Sequence, residues 1–400
     1  MAKQPLEGIK VLDLTNHIAG SYCTKLFADY GASVLKIEKP GRGCLTRSMY
    51  PYAGDDPDPD KSLYHLYLNT NKKSLTLNLK SESGQKVLLD LVKETDILVE
   101  SFAPKVRAAL GLDYDTLEQI NPRLVMASIS NFGQTGPYRD YKASDLIEFA
   151  MGGAMSSTGM PGRPPTNKGR DASLFETGVQ AWHIIVGVFM GTRKDGIGDY
   201  LDFSIMDTEL AGCERRTVQL LTYQFTGDST QRRDPKPVIG IMPRALRCKD
   251  GYLNMGVGPT KFDKFLKLIG REDLANDPAW NLFAFDKAEE AMKVYEDAMM
   301  KKGKLEWTKY FQDNGIICIS VNTAEDVCKD EHWEERGFFV KQDHPVAGEI
   351  RMPRGNVHVD PDWWQMKAPA PRLGEHTKEV LTSLGYGKED IVTLKTQGVI

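Results

Sequence analysis

Basic side chains recur just past successive apolar runs: Lys39, Arg42 and Arg47 after one, Lys72, Lys73 and Lys80 around the next, Lys105 and Arg107 after a third. If those runs are parallel strands, the cations gather along their C-terminal ends. An α/β sheet takes a phosphorylated ligand at that edge, and lysine and arginine bind phosphate oxygens by charge-assisted hydrogen bonds. The alternative use of the same residues is a solvated rim. The turn Thr15-Asn16-His17-Ile18-Ala19-Gly20 opens the first helical pattern, so its backbone N–H groups and His17 would face the same ligand, although a histidine so placed more often simply packs or caps. The turn lacks Gly-x-Gly-x-x-Gly, and the chain has no Gly-x-x-x-x-Gly-Lys-Ser/Thr. Nicotinamide-dependent dehydrogenases and P-loop ATPases are therefore not expected.

The elements that must position these residues follow from periodicity. Ile9 to Leu14 predicts a strand, Ser21 to Tyr30 a helix stopped by Gly31, and Ser33 to Ile37 a second strand, which together make a βαβ unit. The alternation continues through strand Leu75 to Leu79, helix Gly84 to Lys93, strand Ile97 to Val99, helix Asp115 to Ile120 and strand Leu124 to Ile129. This predicts a doubly wound α/β domain on a parallel sheet. A long helix from about Phe175 to Thr192 leads through Asp195-Gly196-Ile197-Gly198 into strand Tyr200 to Phe203. A loop-rich crossing, with Asp228, Asp234 and Pro235 to Pro243, then opens a smaller α+β segment. We expect residues 1–225 to form the first part of the large domain, 226–324 a small domain, and 325–400 a return to the large domain, with Pro-rich 368–371 and a final helix, Thr377 to Leu384.

The charge balance of 51 basic and 55 acidic residues, a net of −4, supplies no global positive field for nucleic acid or an acidic membrane. No apolar run approaches the ~20 residues of a membrane helix, and the N-terminal residues turn polar before a signal core forms; a cytoplasmic protein is expected. The cysteines at 23, 44, 213, 248, 318 and 328 show no Cys-x-x-Cys or zinc-ligand spacing, which predicts reduced thiols in or near the core and no metal site.

Several stretches together resemble class III CoA-transferases. They are Leu6-Glu7-Gly8-Ile9-Lys10-Val11-Leu12-Asp13, Gly31 to Pro40, Asn71 to Lys80, Asn121-Pro122-Arg123-Leu124, Phe132-Gly133-Gln134-Thr135-Gly136-Pro137-Tyr138 and Leu373-Gly374-Glu375-His376-Thr377. The resemblance covers nearly the whole chain. It implies a Rossmann-like large domain built from both ends of the chain, a small middle domain, and an interlocked-ring dimer. Coenzyme A and acyl-CoA would be substrates, with no tightly bound cofactor. Carried over by position, the CoA contacts are His17, Ile18, Ala19, Lys39, Leu77, Lys80, Ser101, Phe102, Leu110 and Lys142. Lysines and backbone amides suit the phosphates, and Leu77, Phe102 and Leu110 suit adenine. Ala109 stands where the formyl-CoA enzyme of this family has an arginine beside the adenine, so Arg107 or Lys105 would have to substitute.

The family's nucleophile is an aspartate four residues before a helix glycine and 24 before the second glycine of a Gly-x-Gly turn. Those glycines are Gly178 and Gly198, and both counts lead to position 174, which is Leu174. Leucine cannot form an acyl anhydride. The neighbouring carboxylates are Asp171 and Glu176; on a helix Asp171 lies almost one turn before Leu174, and Glu176 faces roughly 200° away. Each also fits the plain role of a helix-start charge. Asp145 matches a family position where a carboxylate lines the active site, and its structural role would be an N-cap before Leu146 to Ala150. The family's glycine-rich lid has no counterpart in Val238-Ile239-Gly240-Ile241-Met242-Pro243.

The resemblance thus implies a CoA-transferase subunit without the nucleophile, paired with a homologous catalytic subunit, as in benzylsuccinate CoA-transferase, with succinyl-CoA as donor. Trp182, Met151, Met155 and Met160 could wall an aromatic pocket or simply pack the core. The alternatives are a self-sufficient homodimer using Asp171 or Glu176, an α-methylacyl-CoA racemase, and a non-catalytic CoA-binding protein. The racemase would need a histidine at position 144, where Ser144 stands.

Overall fold

The computed structural model describes residues 4–211, 216–229, 232, 240–243, 245–360 and 362–400. Cys213, Asp234, residues 235–237, Val238 and Ile239 lie outside the described residues, and with them part of the expected crossing and the first two of the six residues compared with the lid.

One unit comprises residues 1–158, 166–230 and 337–400. Its elements in chain order are β1 (Lys10–Leu14), α1 (Ile18–Asp29), β2 (Ser33–Glu38), α2 (Leu63–Leu68), β3 (Lys72–Thr76), α3 (Glu82–Val92), β4 (Ile97–Glu100), α4 (Pro104–Ala109), α5 (Tyr114–Ile120), β5 (Val125–Ser130), α6 (Asp145–Met151), α7 (Ala172–Asp195), β6 (Asp199–Ser204), α8 (Ile205–Ala211) and α9 (Arg216–Thr226). The strands form one parallel sheet in the order β3-β2-β1-β4-β5-β6. The expected doubly wound α/β class is what the chain adopts.

Successive strand residues go to opposite faces, and both faces are covered. Val11, Val34, Ile97, Val99 and Val125 pack with Ile18, Phe27, Ala181 and Ile185 of α1 and α7, while Leu12, Ile37, Leu75, Leu98 and Met126 pack with Val87, Leu88 and Leu117 of α3 and α5. Burial on both faces explains why these strands read as continuous apolar runs. The helices α1 and α7 approach closely because of Gly178: a Cβ there would stand 2.6 Å from the Ala19 carbonyl oxygen.

Several sequence expectations need correction. The third strand is Lys72–Thr76, earlier than Leu75 to Leu79, because the Lys72 ammonium is buried against Asp13 (3.0 Å) and so a charged residue opens a core strand. Leu77 extends the ladder by one N–H to the Glu38 carbonyl, 2.8 Å, before the chain turns. By length and hydropathy the 24-residue α7 would pass for a membrane-crossing helix, contrary to the expectation that no segment would; it packs Ala181, Ile185 and Phe189 into the core beside α1. Cys23, Cys44, Cys248 and Cys318 are buried, but Cys328 is exposed.

The other unit comprises residues 159–165 and 231–336. Its sheet pairs β7 (Ala245–Cys248), β8 (Gly251–Gly256) and a later β9 (Ile317–Ser320) antiparallel. Between β8 and β9 run α10 (Phe262–Leu268), α11 (Glu272–Ala275), α12 (Ala288–Met299) and α13 (Lys304–Asp313), with a core of Phe262, Phe265, Tyr295, Trp307 and Phe311. It continues through α14 (Ala324–Lys329) and α15 (Glu331–Glu335) to Arg336, past position 324 where composition placed its end. The ion pair between Lys304 and Asp326 and the capping box at Thr323 hold α14 to this unit.

The chain then returns to the first unit through the hairpin β10 (Phe339–His344) and β11 (Gly348–Pro353), α16 (Thr377–Ser383) and α17 (Lys388–Thr396), the last of which periodicity did not reveal. The return is pinned by hydrogen bonds. Asn71 N–H donates to the Ala368 carbonyl (3.0 Å), Arg47 to that of Pro371 (3.0 Å), and His376 N–H to that of Ser74 (2.9 Å).

Candidate functional site

In this strand order the connections leave the sheet in opposite directions from β1 and β4, opening a crevice beyond their C-terminal ends, where open α/β sheets bind ligands. Two cavities lie there, both lined by Asn16 and Leu45. The smaller, about 300 Å³, crosses the ends of β1 to β4 and is walled by Leu77, Phe102, Val106 and Leu110, with Lys39, Arg42 and Lys80 among its lining residues. The larger, about 720 Å³, lies beyond β1, β4 and β5 and is lined by His17, Ser101, Ser130, Asp145, Glu148, Asp171 and Leu174, with Arg139 and Arg170.

The first turn between them is held from beneath. Lys36 Nζ donates to the Thr15 carbonyl (3.0 Å), Thr15 N–H and hydroxyl donate to Asp13 Oδ1 (2.9 and 2.6 Å), and Asn16 N–H donates to Ser101 Oγ (2.9 Å). Burial alone would raise the Asp13 carboxyl, but Lys36, Lys72 and the Thr15 and Thr24 hydroxyls outweigh it and hold the group well below the usual carboxylate range. Arg47 is likewise buried, donating to both oxygens of Glu38 at 2.7 and 2.8 Å. Two of the cations expected at the ligand edge, Arg47 and Lys72, are thus taken up inside the fold.

Glu100, at the end of β4, accepts from the Ser128 hydroxyl and from the Phe102 N–H (2.5 Å), which fixes Phe102 on the wall of the smaller cavity. Its burial, only partly opposed by those bonds, pushes its carboxyl up to about 7. Arg107 turns from the cavity to the Tyr200 ring, 5.2 Å from its centroid, and Lys105 pairs with Asp140 at 3.3 Å; neither lines the smaller cavity.

The larger cavity has an acidic wall. Asp145 does not cap its own helix, whose N-cap is Ser144; its two oxygens instead accept the N–H groups of Asp171 and Ser173, each at 3.2 Å, at the start of α7. The N-terminal amides and dipole of a 24-residue helix are thereby matched by a carboxylate from another helix. Asp171 is the N-cap residue itself, in the left-handed conformation at φ 60°, and its Oδ2 accepts from the Tyr64 hydroxyl at 2.5 Å. Burial and that carboxylate push the Tyr64 phenol up to about 12. Burial pushes the His17 imidazole down, against the opposing pull of Asp171 and Asp145.

Of the residues expected to touch CoA, Lys39, Leu77, Lys80, Phe102 and Leu110 meet in the smaller cavity, and His17, Ala19 and Ser101 in the larger. Ile18 is wholly buried and Lys142 exposed, and neither lines either cavity. Among the carboxylate candidates Asp145 and Asp171 line the larger cavity beside Leu174, which is 4% exposed. Glu176 lies outside that lining and pairs with Lys168 at 3.5 Å. Trp182 stacks on Tyr30 with centroids 5.6 Å apart, and neither it nor Met151 nor Met155 lines the cavity.

Sequence reasoning passed over Glu148 and Ser130. On α6 the usual pattern is inverted, with Leu146 and Ile147 exposed while Asp145 and Glu148 are buried. The spacing of three between the two acids was the available signal, since it puts them on one helix face.

The profile of CoA-transferase family III matches residues 6–377. The formyl-CoA:oxalate CoA-transferase of Streptomyces coelicolor is 32% identical over 420 aligned positions that cover 100% of this chain and 100% of that protein. The succinyl-CoA:glutarate CoA-transferase of Homo sapiens is 28% identical over 403, covering 99% of this chain and 90% of its own. A crystal structure of a CAIB/BAIF family protein from Brucella suis matches with a TM-score of 0.84 at 27% identity, covering 96% of this chain and 100% of that one.

Proposed function

The chain belongs to CoA-transferase family III, and from that premise we propose that it is the subunit of a heteromeric transferase that does not carry the nucleophile. Its homologous partner supplies the aspartate, succinyl-CoA is the donor, and an aryl-substituted dicarboxylate such as benzylsuccinate is the acceptor. The observation that carries this reading is Leu174: the position counted from Gly178 and Gly198 lies in the wall of the larger cavity and presents hydrocarbon there.

The two cavities suit the two parts of an acyl-CoA. Lys39, Arg42 and Lys80 match the phosphates and Leu77, Phe102 and Leu110 the adenine, while the acyl end passes Asn16 and Leu45 into the larger cavity. In the reaction a carboxylate attacks the thioester carbonyl and the CoA thiolate leaves, which forms a mixed anhydride. The thiolate then attacks the enzyme's side of that anhydride and releases the donor acid. The acceptor carboxylate attacks the resulting enzyme thioester, expelling the thiolate and forming a second mixed anhydride; the thiolate then attacks the acceptor's side of it, giving the new acyl-CoA and freeing the enzyme carboxylate. Leu174 can perform none of these attacks. In this chain the contribution is to bind, orient and exclude water.

The test is to purify the chain alone and with its homologous partner and to assay CoA transfer from succinyl-CoA to a panel of dicarboxylates. Activity only in the mixture, abolished when the partner's aspartate is changed, supports the proposal. A second reading rests on Asp171, which lines the same cavity at the head of α7. An active homodimer whose Asp171 is labelled by hydroxylamine trapping in the presence of succinyl-CoA would establish it instead.

A further inference from the structure

We propose that the Glu148 carboxyl and the Ser130 hydroxyl form a pair that receives the free carboxylate of a dicarboxylic acyl substrate, the group that does not carry CoA. This inference rests on the CoA-transferase reading and assigns the substrate class to two residues of this chain.

Both residues belong to the lining of the larger cavity and both are more than nine-tenths buried, with Glu148 1% and Ser130 8% exposed. Glu148 Oε2 and Ser130 Oγ find no hydrogen-bond partner among the described residues. A buried polar group left unpaired costs on the order of 1–3 kcal/mol, so two in one cavity wall mark a place where a ligand completes the bonding. Asn131, which follows Ser130 at the end of β5, reaches Glu148 on α6. With its amide oriented by its surroundings, Asn131 donates to Glu148 Oε1 at 3.2 Å and accepts the Ala143 N–H at 3.3 Å, leaving Oε2 unpaired.

The charges around Glu148 decide what it offers. Asp145 lies one turn before it on α6, Glu209 comes from α8, and Asp171 stands at the head of α7, while Lys168 is engaged by Glu209 at 2.6 Å. Burial first, then Asp145 and Glu209, push the Glu148 carboxyl up to about 8. Near neutral pH it is therefore a carboxylic acid with a proton to donate, and Ser130 supplies a second neutral donor. Two neutral O–H groups suit a carboxylate, and Arg139 and Arg170 on the same cavity offset the charges of Asp145 and Asp171. The thioester end enters past Asn16 and Leu45, which the two cavities share; Glu148 and Ser130 belong to the larger cavity alone and so meet the remote end.

The experiment is calorimetric titration of the full chain with CoA, butyryl-CoA and succinyl-CoA at pH 6.5 and 9.5, for the native protein and for Glu148→Gln, Glu148→Ala and Ser130→Ala. The native chain should bind succinyl-CoA about tenfold more tightly than butyryl-CoA at pH 6.5 and lose that preference at pH 9.5, when the acid has ionised. Glu148→Gln, a neutral donor, should keep the preference at both pH values. Glu148→Ala and Ser130→Ala should lose most of it while still binding CoA, which also shows that they are folded. Equal affinity for the two thioesters in the native chain, a preference that survives Glu148→Ala, or one that grows with pH would overturn the inference. Absence of CoA binding altogether would instead defeat the proposed placement of acyl-CoA in this chain's cavities, on which the inference stands.

Discussion

Asp13 and Glu148 are carboxyls of the same unit with almost identical burial, 0% and 1% exposed, and their surroundings drive them in opposite directions. Asp13 lies between Lys36 and Lys72 with the hydroxyls of Thr15 and Thr24 on its oxygens, and stays ionised. Glu148 has two acids for neighbours and, among the described residues, an oxygen without a partner, and at neutral pH it keeps its proton. Depth therefore does not decide whether a buried acid is charged; the groups that replace water around it do. The first arrangement fixes the turn that a ligand must meet, whereas the second leaves a bond for the ligand to make.

The strongest way to break this comparison is at Asp13. Asp13→Ala leaves two buried ammonium groups uncompensated and should cost about 3–5 kcal/mol in urea unfolding; a loss below ~1 kcal/mol would show that the cluster does not hold the fold. Next in size, Lys80→Ala removes a cation from the smaller cavity without touching either buried acid. It should weaken CoA binding about tenfold in a salt-dependent manner and leave the succinyl-over-butyryl preference intact, both read by titration.

At Glu148 the pH dependence has a definite sign. Its folded value of about 8 lies above the ordinary 4.5, so the stabilisation is complete below 4.5 and is lost as pH rises to about 8. Glu148→Gln should remove this slope and raise the melting temperature at pH 8.5 by on the order of 3 °C relative to the native chain. An unchanged slope would mean that Glu148 is not the titrating group. The smallest effect is expected at Lys73 and Glu379, an ion pair at 2.6 Å whose side chains are 48% and 58% exposed. Lys73→Ala should change stability by less than about 1 kcal/mol, because water screens the pair that burial would have sharpened.

Much of the architecture was legible in the chain. The apolar runs of β1, β2, β4 and β5 and the Gly31 stop after the first helix are local signals, and a parallel sheet buried on both faces follows from them. The third strand was misplaced because Lys72 looks like a surface residue until Asp13, 59 positions away, is set beside it. The same limit concealed Arg47 in its pairing with Glu38. Glu148 was passed over because, on a short helix, an acid next to exposed Leu146 and Ile147 has no local reason to face inward.

What the sequence by itself determined is the order of strands and helices, the family motifs, and a leucine at the place counted for the nucleophile, since these depend on residue type and spacing along the chain. What only the tertiary structure decided is which charges are buried and whether each finds a partner. Asp13 meets two lysines, Asp145 meets the head of another helix, and Glu148 meets other acids. The physical reason is that the ionisation and bonding of a buried group depend on neighbours within a few ångströms, and those neighbours come from segments far apart in sequence.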